Sequence, residues 1–458
     1  MKVHFIAIGG SAMHNLAIAL HKKGYVVTGS DDEIFDPSRR RLMQHGLLPD
    51  QYGWFPEKIH SGLDAVILGM HARADNPELE KARKLGLKVY SYPEFLYEQS
   101  KDKTRVVIGG SHGKTTITSI ILHVLQHHKI DTDYMVGAQL EGFEVMVKLS
   151  NKAPFMIIEG DEYLSSPVDR RPKFHLYKPH IALLSGIAWD HINVFPTFEI
   201  YLDQFRQFIR LIEPGGKLIF CTEDEQLNIL CREEENADLN LYPYGLPPYE
   251  INKGKTWCIQ NGNKYPLLVF GKHNLMNING ARLVCQQLGV TNEMFFEAMA
   301  SFKGASNRLE KVFEQNGTVI FRDFAHAPSK LKATTAAVKE QYPEKLLIAC
   351  MELHTFSSLN KDFLSQYEGS MDAADSAIVF FSPHALQMKK LPELDPETVR
   401  MAFKKKGLEV FTDSGDLLKR LQSLAANDIC FLFMSSGNFG GLNLNEFAGY
   451  IKSKQSEL

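Results

Sequence analysis

A glycine-rich segment that joins an apolar run to a helix-forming run constrains the fold of this chain more than any other feature. Residues 105–119 read Arg-Val-Val-Ile-Gly-Gly-Ser-His-Gly-Lys-Thr-Thr-Ile-Thr-Ser. The apolar run predicts a buried strand, and a strand that leads through glycines into a helix is typical of a phosphate-binding loop. In such a loop the backbone N–H groups face phosphate oxygens, Lys114 adds a positive charge, and the Thr115 hydroxyl suits Mg²⁺. The segment therefore predicts a nucleoside triphosphate site in an α/β domain.

The loop departs from the strict form of this motif. The strict pattern has a glycine six residues before the lysine, where this chain has Ile108, and the nearest glycines are Gly109 and Gly110. A chance Gly-Lys-Thr is common in loops, but one between a Val-Val-Ile strand and a long helical segment is not. We therefore keep the nucleotide interpretation, with a loop shorter than usual.

Length and composition limit the classes of protein to consider. A chain of 458 residues predicts about three domains, and a net charge of −3 gives no reason to expect nucleic acid or a membrane surface as partner. The six cysteines are scattered without a Cys-x-x-Cys pair, which argues against a disulfide framework or a structural zinc site and for a reducing compartment. The N-terminal apolar run is too short for a signal peptide, and no stretch reaches transmembrane length. We expect a cytoplasmic protein.

Strand and helix patterns alternate along most of the chain. Strands are predicted at 3–8, 25–29, 64–69, 155–158, 181–184, 319–321, 346–350, 377–381 and 430–434, and helices at 14–23, 77–85, 274–288 and 330–340. The charged segment 98–103 reads as a linker, and 235–266 as irregular or antiparallel structure. Because alternation of this kind predicts parallel sheets, we expect three α/β domains. They are a Rossmann-like N-terminal domain (1–103), a central P-loop ATPase-type domain (104–310) and a Rossmann-like C-terminal domain (311–458).

A second glycine turn follows the first predicted strand. Ala7, Gly9 and Ala12 stand where a dinucleotide fingerprint has glycines, and Asp31-Asp32 follow where a ribose-binding acid would stand. An NAD site, a related nucleotide-diphosphate site and a plain tight turn all remain open, and we favour the second. A diphosphate at a helix N-terminus satisfies either ligand interpretation.

Acidic residues and an Asp-His pair follow two further predicted strands. Glu159, Asp161 and Glu162 end one strand, and in a parallel sheet the ligand crevice lies at the carboxyl ends of the strands. Carboxylates beside a phosphate loop suit Mg²⁺, although a solvated acidic turn is the alternative. Asp190 and His191 come after the next strand, where they are either structural or part of the same site.

Two groups of polar residues occur later in the chain. His273, Asn274 and Asn277 lie at the start of a predicted helix, where they suit an adenine edge, although Asn274 serves equally well as a helix cap. The second group comprises Arg308, Asp323 and His326. A guanidinium there can offset the charge of a transferring phosphate, and the other two side chains suit a ribose.

Taken in order, these segments resemble the Mur ligase family over essentially the whole chain. They are Gly-Ser-His-Gly-Lys-Thr, Glu-Gly-Asp-Glu, Asp-His, His-Asn-x-x-Asn and Asp-Phe-Ala-His-x-Pro. Members of that family are ATP-dependent ligases that build the peptide of bacterial cell-wall precursors. The resemblance implies that ATP phosphorylates the carboxylate of UDP-N-acetylmuramate and that an amine then attacks the acyl phosphate. It also implies ATP and two Mg²⁺ ions as cofactors, a short cell-wall peptide as partner, and a monomer or weak homodimer.

The resemblance also assigns roles to residues. The ATP site comprises Gly110, Ser111, His112, Gly113, Lys114, Thr115, Thr116, His273, Asn274, Asn277, Arg308, Asp323 and His326. The UDP-substrate site comprises Gly10, Ser11, Ser30, Asp31 and His71. Thr115 and Glu162 are implied as ligands of one Mg²⁺ and His191 of a second, with Lys114, Glu162 and His191 as the catalytic residues.

Two segments bear on which amine is joined. Residues 159–179 and 142–145 are similar to those of members that add a recycled L-Ala-D-Glu-diamino acid tripeptide, and ligation of L-alanine in de novo synthesis is the alternative. A polyglutamate-type ligase is disfavoured by the N-terminal nucleotide-like domain. A catalytically silent nucleotide-binding protein is disfavoured because the chain has all four of the residues Lys114, Thr115, Glu162 and His191.

Several positions depart from the family pattern. Ala7 replaces a usual glycine, Gly160 a usual alanine, and Ala327 a histidine that relatives often carry. Thr355 follows His354 where an arginine often stands, which affects the expected recognition of a peptide carboxylate. No lysine lies between residues 178 and 217, so the modified lysine that some relatives use at the metal site is not expected in that stretch.

Overall fold

The computed structural model describes residues 1–138, 143, 145–189, 194–234, 238–305 and 308–456. The chain divides into two compact units, each built from two segments. Unit 1 comprises Met1–Leu246 and Met276–Met299, and unit 2 comprises Pro247–Leu275 and Ala300–Leu458. The described part of unit 1 contains two sheets and that of unit 2 another two.

The first sheet of unit 1 has four parallel strands in the order β2-β1-β3-β4. The strands are β1 (Lys2–Ile6), β2 (Val26–Ser30), β3 (Ala65–Leu68) and β4 (Val89–Ser91). The helices are α1 (Ser11–Lys22), α2 (Ser38–Gln44), α3 (Pro77–Lys84) and α4 (Tyr92–Ser100), with a 3₁₀ turn at Pro56–Lys58. The strand order reverses beside β1, which creates a crevice at the N-terminus of α1. Part of the predicted linker at 98–103 belongs to α4, whose start is fixed by a Ser91–Glu94 capping box.

The second sheet of unit 1 has seven strands in the order β11-β10-β9-β5-β8-β6-β7. They are β5 (Thr104–Gly109), β6 (Thr132–Met135), β7 (Val147–Lys148), β8 (Phe155–Glu159), β9 (Ile181–Leu184), β10 (Lys217–Cys221) and β11 (Asn240–Tyr244). The helices are α5 (Lys114–His127), α6 (Phe198–Arg210), α7 (Glu225–Glu233), α8 (Lys272–Gln287) and α9 (Asn292–Met299), with a 3₁₀ turn at Lys173–Leu176. Among the described strands of this sheet only the edge strand β7 is antiparallel, and the first residues of α8 belong to unit 2. Strand β5 lies between β8 and β9, so the carboxyl ends of three neighbouring strands meet at its end.

Unit 2 begins with an antiparallel meander, as expected for part of 235–266. It consists of β12 (Tyr249–Asn252), β13 (Lys255–Gln260) and β14 (Asn263–Leu267). The larger sheet has the order β15-β16-β20-β17-β18-β19, and β15 alone is antiparallel. These strands are β15 (Glu310–Gln315), β16 (Thr318–Asp323), β17 (Leu346–Glu352), β18 (Ser376–Phe380), β19 (Glu409–Phe411) and β20 (Ile429–Met434). The helices are α10 (Pro328–Gln341), α11 (Pro383–Met388), α12 (Pro396–Phe403), α13 (Ser414–Leu424) and α14 (Leu444–Ser456), with a 3₁₀ segment at Lys361–Tyr367.

Strand β17 shows why the strands of this sheet appear in the sequence as continuous apolar runs. Leu347, Ala349 and Met351 contribute to the core on one face, and Ile348 and Cys350 to the core on the other. Successive side chains of a strand point to opposite faces, so a parallel strand that is covered on both sides has no polar alternation. The α/β fold with mainly parallel sheets that the sequence predicts is confirmed, while the exact domain boundaries stay a prediction.

Two further sequence expectations concern cysteines and membrane spans. All six cysteines are buried free thiols. Among the described residues, no helix combines the length and the apolar character needed to cross a bilayer.

Candidate active site

The phosphate loop (residues 109–115) connects β5 to α5 and requires glycine at two positions. Gly110 has a φ of 121° and Gly113 a φ of 77°, both in the left-handed region that favours glycine. A Cβ on Gly110 would lie 2.3 Å from Ser185 Oγ, and one on Gly113 would lie 2.3 Å from Asn277 Oδ1. The loop therefore passes so close to its neighbours that a side chain has no room. Asn277 packs against the loop itself.

Hydrogen bonds attach the phosphate loop to the segment that follows β9. Ser111 N donates to Gly186 O at 3.0 Å, and Ser111 Oγ accepts from Ala188 N at 2.7 Å. Ser185 Oγ donates to His112 O. These bonds hold the loop against the segment that leads to Asp190 and His191, both of which lie outside the described residues.

Lys114 is the first residue of α5 and forms an ion pair with Glu162, one of the acidic residues at 159–162. Its Nζ donates to Glu162 Oε2 at 2.7 Å and to Gly110 O at 2.6 Å. Burial alone would lower the pKa of Lys114, but the carboxylates of Glu162, Asp161 and Glu159 outweigh burial and raise it. Lys114 is therefore a permanent positive charge at the helix N-terminus, which suits a phosphate group.

Thr115 meets a different carboxylate from the one that the sequence assignment pairs it with. Thr115 Oγ1 donates to Glu159 Oε1 at 2.7 Å, and Gly137 N donates to Glu159 Oε2 at 2.8 Å. Glu162 instead receives Lys114, and Tyr201 OH donates to its Oε1 at 3.2 Å. The assignment of site residues omits Glu159, although its place at the end of β8 was a signal for it.

These side chains form a donor set that fits Mg²⁺. A threonine hydroxyl and two buried carboxylates, Glu159 and Glu162, offer oxygen atoms only, and Mg²⁺ prefers oxygen ligands. Thr115, Glu159 and Glu162 would hold the ion, which would offset the negative charge of the phosphates. The tight glycine turn beside them is the other half of a phosphate site.

Asp161 ties the acidic segment (residues 159–162) to the chain that follows it. Lys173 Nζ donates to Asp161 Oδ2 at 2.5 Å. Burial would raise the pKa of Asp161, but Lys173 and Lys114 outweigh burial and lower it. Asp161 is therefore a structural anion that anchors the start of the 3₁₀ turn at Lys173–Leu176.

The N-terminal turn (residues 7–10) has an alanine in an unusual conformation. Ala7 has a φ of 66°, in the left-handed region, and its N–H donates to Ser30 O at 2.9 Å. Gly9 N donates to Asp31 Oδ2 at 2.6 Å. Burial raises the pKa of Asp31 to about 6, with Asp32 adding to the rise and the Gly9 hydrogen bond opposing it. The turn thus keeps the backbone path that a glycine would allow, at the cost of strain at Ala7.

The predicted UDP-site residues all lie at one edge of the first sheet. Gly10 precedes α1 and Ser11 begins it, Ser30 ends β2 and Asp31 follows it, and His71 lies just past β3. Ser30 Oγ is buried and makes no hydrogen bond within the described residues. The structure therefore groups the five residues at the carboxyl ends of β1, β2 and β3, and their binding role stays a prediction.

The predicted adenine residues of unit 2 lie where α8 begins. Asn274 is inside the helix, since α8 starts at Lys272, and its Nδ2 donates to Phe270 O at 2.9 Å. The alternative that Asn274 is the helix cap is therefore wrong. Burial lowers the pKa of His273, and Asp323 opposes that shift, so the neutral imidazole is favoured.

The end of β16 brings the second predicted group of unit 2 together. Asp323 accepts from Thr334 Oγ1 at 2.6 Å, and the Arg308 guanidinium lies 4.9 Å from the centre of the Phe324 ring. His326 Nδ1 donates to Phe324 O at 2.9 Å. Arg308 thus has its charge on an aromatic face, and the next residue, Leu309, donates from its N to Asp323 Oδ1 at 3.1 Å, but none of these contacts tests the role of Arg308 at phosphate.

A further polar cluster of unit 2 lies at the carboxyl ends of the adjacent strands β17 and β20. Glu352 is only 2% exposed, accepts from Phe439 N at 2.8 Å, and also receives Ser435 Oγ. His354 Nδ1 lies 3.6 Å from Glu352 Oε1. Glu352 and Ser435 are not among the site residues predicted from the sequence, where only His354 and Thr355 stand out in this region. An acid that ends a buried strand, with a histidine two residues later, was the available signal.

A glycine loop that ends in a lysine at a helix N-terminus, set among parallel strands and facing buried carboxylates, defines a nucleotide-dependent α/β enzyme. Three family models match consecutive parts of the chain: "Mur ligase family, catalytic domain" over 2–104, "Mur ligase middle domain" over 108–285, and "Mur ligase, glutamate ligase domain" over 307–437. The chain therefore belongs to the Mur ligase family, and it is an ATP-dependent ligase that forms amide bonds.

Comparison with individual proteins gives relatives of two kinds. The UDP-N-acetylmuramate–L-alanine ligase of Clostridium kluyveri is 30% identical over 384 residues, which are 80% of this chain and 81% of that protein. A murein peptide ligase from Psychrobacter arcticus has a TM-score of 0.63 at 23% identity, with 98% of each chain covered. The UDP-N-acetylmuramate–alanine ligase of Thermotoga maritima has a TM-score of 0.68 at 19% identity, with 100% of each chain covered. At these identities the two structures establish the fold alone.

Proposed function

We propose that this enzyme joins the lactyl carboxylate of UDP-N-acetylmuramate to the α-amine of an L-Ala-D-Glu-diamino acid tripeptide, the reaction of a murein peptide ligase. The observation that carries the proposal is the ordered insert that follows Glu162. The family resemblance implies that this segment is similar to that of peptide-adding members and that alanine-adding members have a shorter path to the next strand.

The chain after Glu162, which includes the insert at residues 169–177, starts with a closed loop (residues 163–172) that has its own hydrogen bonds. Ser165 N donates to Arg171 O at 2.9 Å, and Lys173 N donates to Tyr163 O at 2.9 Å. Leu164 and Pro172 form an isolated antiparallel bridge between these two bonds. The closed loop is thus a preformed element directly after a proposed metal ligand, where a large amine substrate needs more surface than L-alanine does.

Charge at the tip of the closed loop suits a peptide with several carboxylates. Arg170 and Arg171 are both exposed, and Arg171 donates from Nε to Asp169 Oδ1 and from an Nη atom to Asp169 Oδ2. A guanidinium recognises a carboxylate in a fork geometry, so Arg170 is the better candidate for a substrate carboxylate. This arrangement offers an alternative to the arginine that the family often carries after His354.

The chain's own residues have distinct parts in the proposed reaction. Lys114 and the loop amides hold the ATP phosphates and offset the charge that builds up as the terminal phosphoryl group is transferred. Glu162, held by Lys114 and Tyr201, and Glu159, held by Gly137, keep their carboxylates fixed before substrate arrives. Groups that are already held in place need little reorganisation as charge develops, so they stabilise the transition state more effectively.

Further details of the sequence assignment remain part of the proposal. We retain two Mg²⁺ ions, with His191 as a ligand of the second, and UDP-N-acetylmuramate in the crevice beside α1. We place the reaction in the cytoplasm, which six free thiols and an ATP-dependent reaction support. We retain a monomer or weak homodimer as the expected state.

The test is phosphate release by the purified full chain with ATP and Mg²⁺. We expect release only when UDP-N-acetylmuramate and the tripeptide are both present, with a kcat/KM on the order of 10²-fold or more above that for L-alanine. A dipeptide and a tetrapeptide complete the panel of amines. Turnover with L-alanine but not with the tripeptide would overturn the proposal, and turnover without the UDP-substrate would favour a polyglutamate-type ligase.

A second candidate is a UDP-N-acetylmuramate–L-alanine ligase. It is favoured by the curated relatives at 30% identity, which carry that name. Deleting the tip of the closed loop (residues 166–170) separates the two candidates. Under our proposal the deletion raises the KM of the tripeptide and leaves the KM of ATP unchanged, whereas an alanine ligase would keep its full kcat/KM for L-alanine.

A further inference from the structure

We propose that His127, His128 and Glu297 form a binding site for a transition-metal ion of the zinc class, on unit 1 and apart from the phosphate loop. His127 is the last residue of α5, His128 follows it, and Glu297 lies on α9. One candidate ligand atom from each of the three lies within 4.8 Å of those of the other two. The three residues are called the α5–α9 cluster.

The chemistry of the α5–α9 cluster matches transition metals better than Mg²⁺. Two imidazoles and one carboxylate are the donor set that Zn²⁺, Ni²⁺ and Co²⁺ accept, whereas Mg²⁺ prefers oxygen atoms. His127 Nε2 lies 4.0 Å from Glu297 Oε1, and the rings of His127 and His128 are 4.8 Å apart. Zinc binds nitrogen at about 2.0–2.1 Å, so a small rotation of partly exposed side chains brings the donors into range.

A hydrogen bond prepares His128 for metal binding. His128 Nε2 lies 2.8 Å from Met294 O, and a carbonyl only accepts, so Nε2 carries the proton. In this tautomer the lone pair that can bind a metal ion is on Nδ1. Metal-binding histidines commonly donate their other ring N–H to a carbonyl in this way, which fixes the tautomer and the ring orientation.

The position of the α5–α9 cluster favours a cation and allows access. The carbonyl end of α5 carries partial negative charge, which stabilises a positive ion at His127 and His128. His127 and Glu297 are 36% and 68% exposed, so solvent reaches the donors without a structural change. His123, one turn before His127, donates from Nε2 to Ala298 O at 2.9 Å and holds the same two helices together.

A bound ion would connect the two helices at this point. Helix α5 starts at the phosphate loop, and α9 ends at Met299, the last residue of unit 1. The metal would therefore stabilise unit 1 without contact with the reacting groups. The ion would change the stability of the folded protein and not the rate of amide formation, so the inference is independent of the proposed substrate.

The test is a Zn²⁺ titration of the chelator-treated full chain by calorimetry, with millimolar Mg²⁺ present to compete at oxygen-rich sites. The variants are His127→Ala and Glu297→Gln, and the matched control is His384→Ala, which removes an exposed histidine of α11. We expect one Zn²⁺ site that each cluster variant weakens by at least about 10-fold, since loss of an outer-shell contact already costs about 10–100-fold.

Thermal unfolding gives a second readout of the same site. Zn²⁺ should raise the Tm of the wild type and of His384→Ala but not of His127→Ala, because only binding to the folded state stabilises it. Ligase turnover in metal-depleted Mg²⁺ buffer should be the same in all four proteins. Equal Zn²⁺ affinity and stoichiometry in the wild type and His127→Ala, or no Zn²⁺ site in the wild type, would overturn the proposal.

Discussion

The two glycine turns of unit 1 share one design and differ in charge. The N-terminal turn leads from β1 into α1, and the phosphate loop leads from β5 into α5. In the N-terminal turn the nearest acid, Asp31, is bound to the backbone N–H of Gly9, whereas in the phosphate loop Glu162 is bound to Lys114. The first turn thus uses backbone groups and a tethered carboxylate, and the second adds a full positive charge.

The difference shows how one local fold serves two tasks. A diphosphate that only has to be held is satisfied by helix N–H groups. A phosphoryl group that transfers develops charge in the transition state, and a fixed cation stabilises that charge more than the ground state. We therefore expect substitutions in the phosphate loop to lower the reaction rate, and substitutions in the N-terminal turn to affect binding and stability.

The largest expected effect is that of Lys114→Ala. Losing the cation should lower kcat/KM for phosphate release by about 10²–10³-fold, the cost of one transition-state donor. The matched change in the other turn is Ser11→Ala, since Ser11 also begins its helix, and we expect at most about a 10-fold rise in the KM of the UDP-substrate. Both are measured by steady-state phosphate release, after melting curves confirm folding. Equal losses in the two variants would contradict the division of tasks.

The next effect is steric and compares Gly110→Ala with Gly10→Ala. A Cβ on Gly110 would lie 2.3 Å from Ser185 Oγ and 2.9 Å from Ser185 N, and its φ is 121°. We expect a loss of about 2–4 kcal/mol in unfolding free energy from overpacking and left-handed strain. Gly10 has a φ of −55° and its nearest atom would be 3.4 Å away, so its substitution should cost within about 0.5 kcal/mol. Urea unfolding measures both, and similar costs would disprove the asymmetry.

A third effect is the pH dependence that Asp31 gives to stability. Folding raises the pKa of this carboxyl from 3.8 to about 6, so the folded state binds its proton more tightly. The resulting stabilisation is complete below pH 3.8 and is lost as pH rises through 6. Compared with Asp31→Asn, the wild type should lose about 1–3 kcal/mol of unfolding free energy between pH 4 and pH 7. A difference between the two proteins that stays constant over this range would argue against a buried, protonated Asp31.

The smallest expected effect is that of Ala7→Gly. Glycine adopts a φ of 66° without Cβ strain, so the variant should be more stable by up to about 1 kcal/mol, despite a larger unfolded-state entropy. The control is Ala12→Gly at an exposed position of α1, which should lose about 0.5–1 kcal/mol. Chemical unfolding of the two variants measures the signs, and destabilisation by Ala7→Gly would show that the left-handed backbone is not strained there.

Sequence patterns located the elements well because the relevant forces are local. The strand at 181–184 matches β9, and the helix at 330–340 lies within α10. The sequence predicts that this helix starts at residue 274, two residues after the observed start of α8 at Lys272, because Asn274 has the side chain of a typical helix cap. The polar cluster around Glu352 depends on contacts with Ser435 and Phe439, more than 80 residues further along the chain, so no local pattern identified how it is arranged.

The sequence by itself determined the β–loop–α units, the glycine turns and the family, because glycine spacing and apolar periodicity are properties of short segments. Only the tertiary structure decided which carboxylate accepts a hydrogen bond from Lys114 and which from Thr115. Glu162 lies 48 residues after Lys114 and Glu159 lies 44 residues after Thr115, so their pairing depends on the order of β5 and β8 in the sheet. The meeting of His127 with Glu297 follows in the same way from the packing of α5 on α9, which no spacing in the sequence reveals.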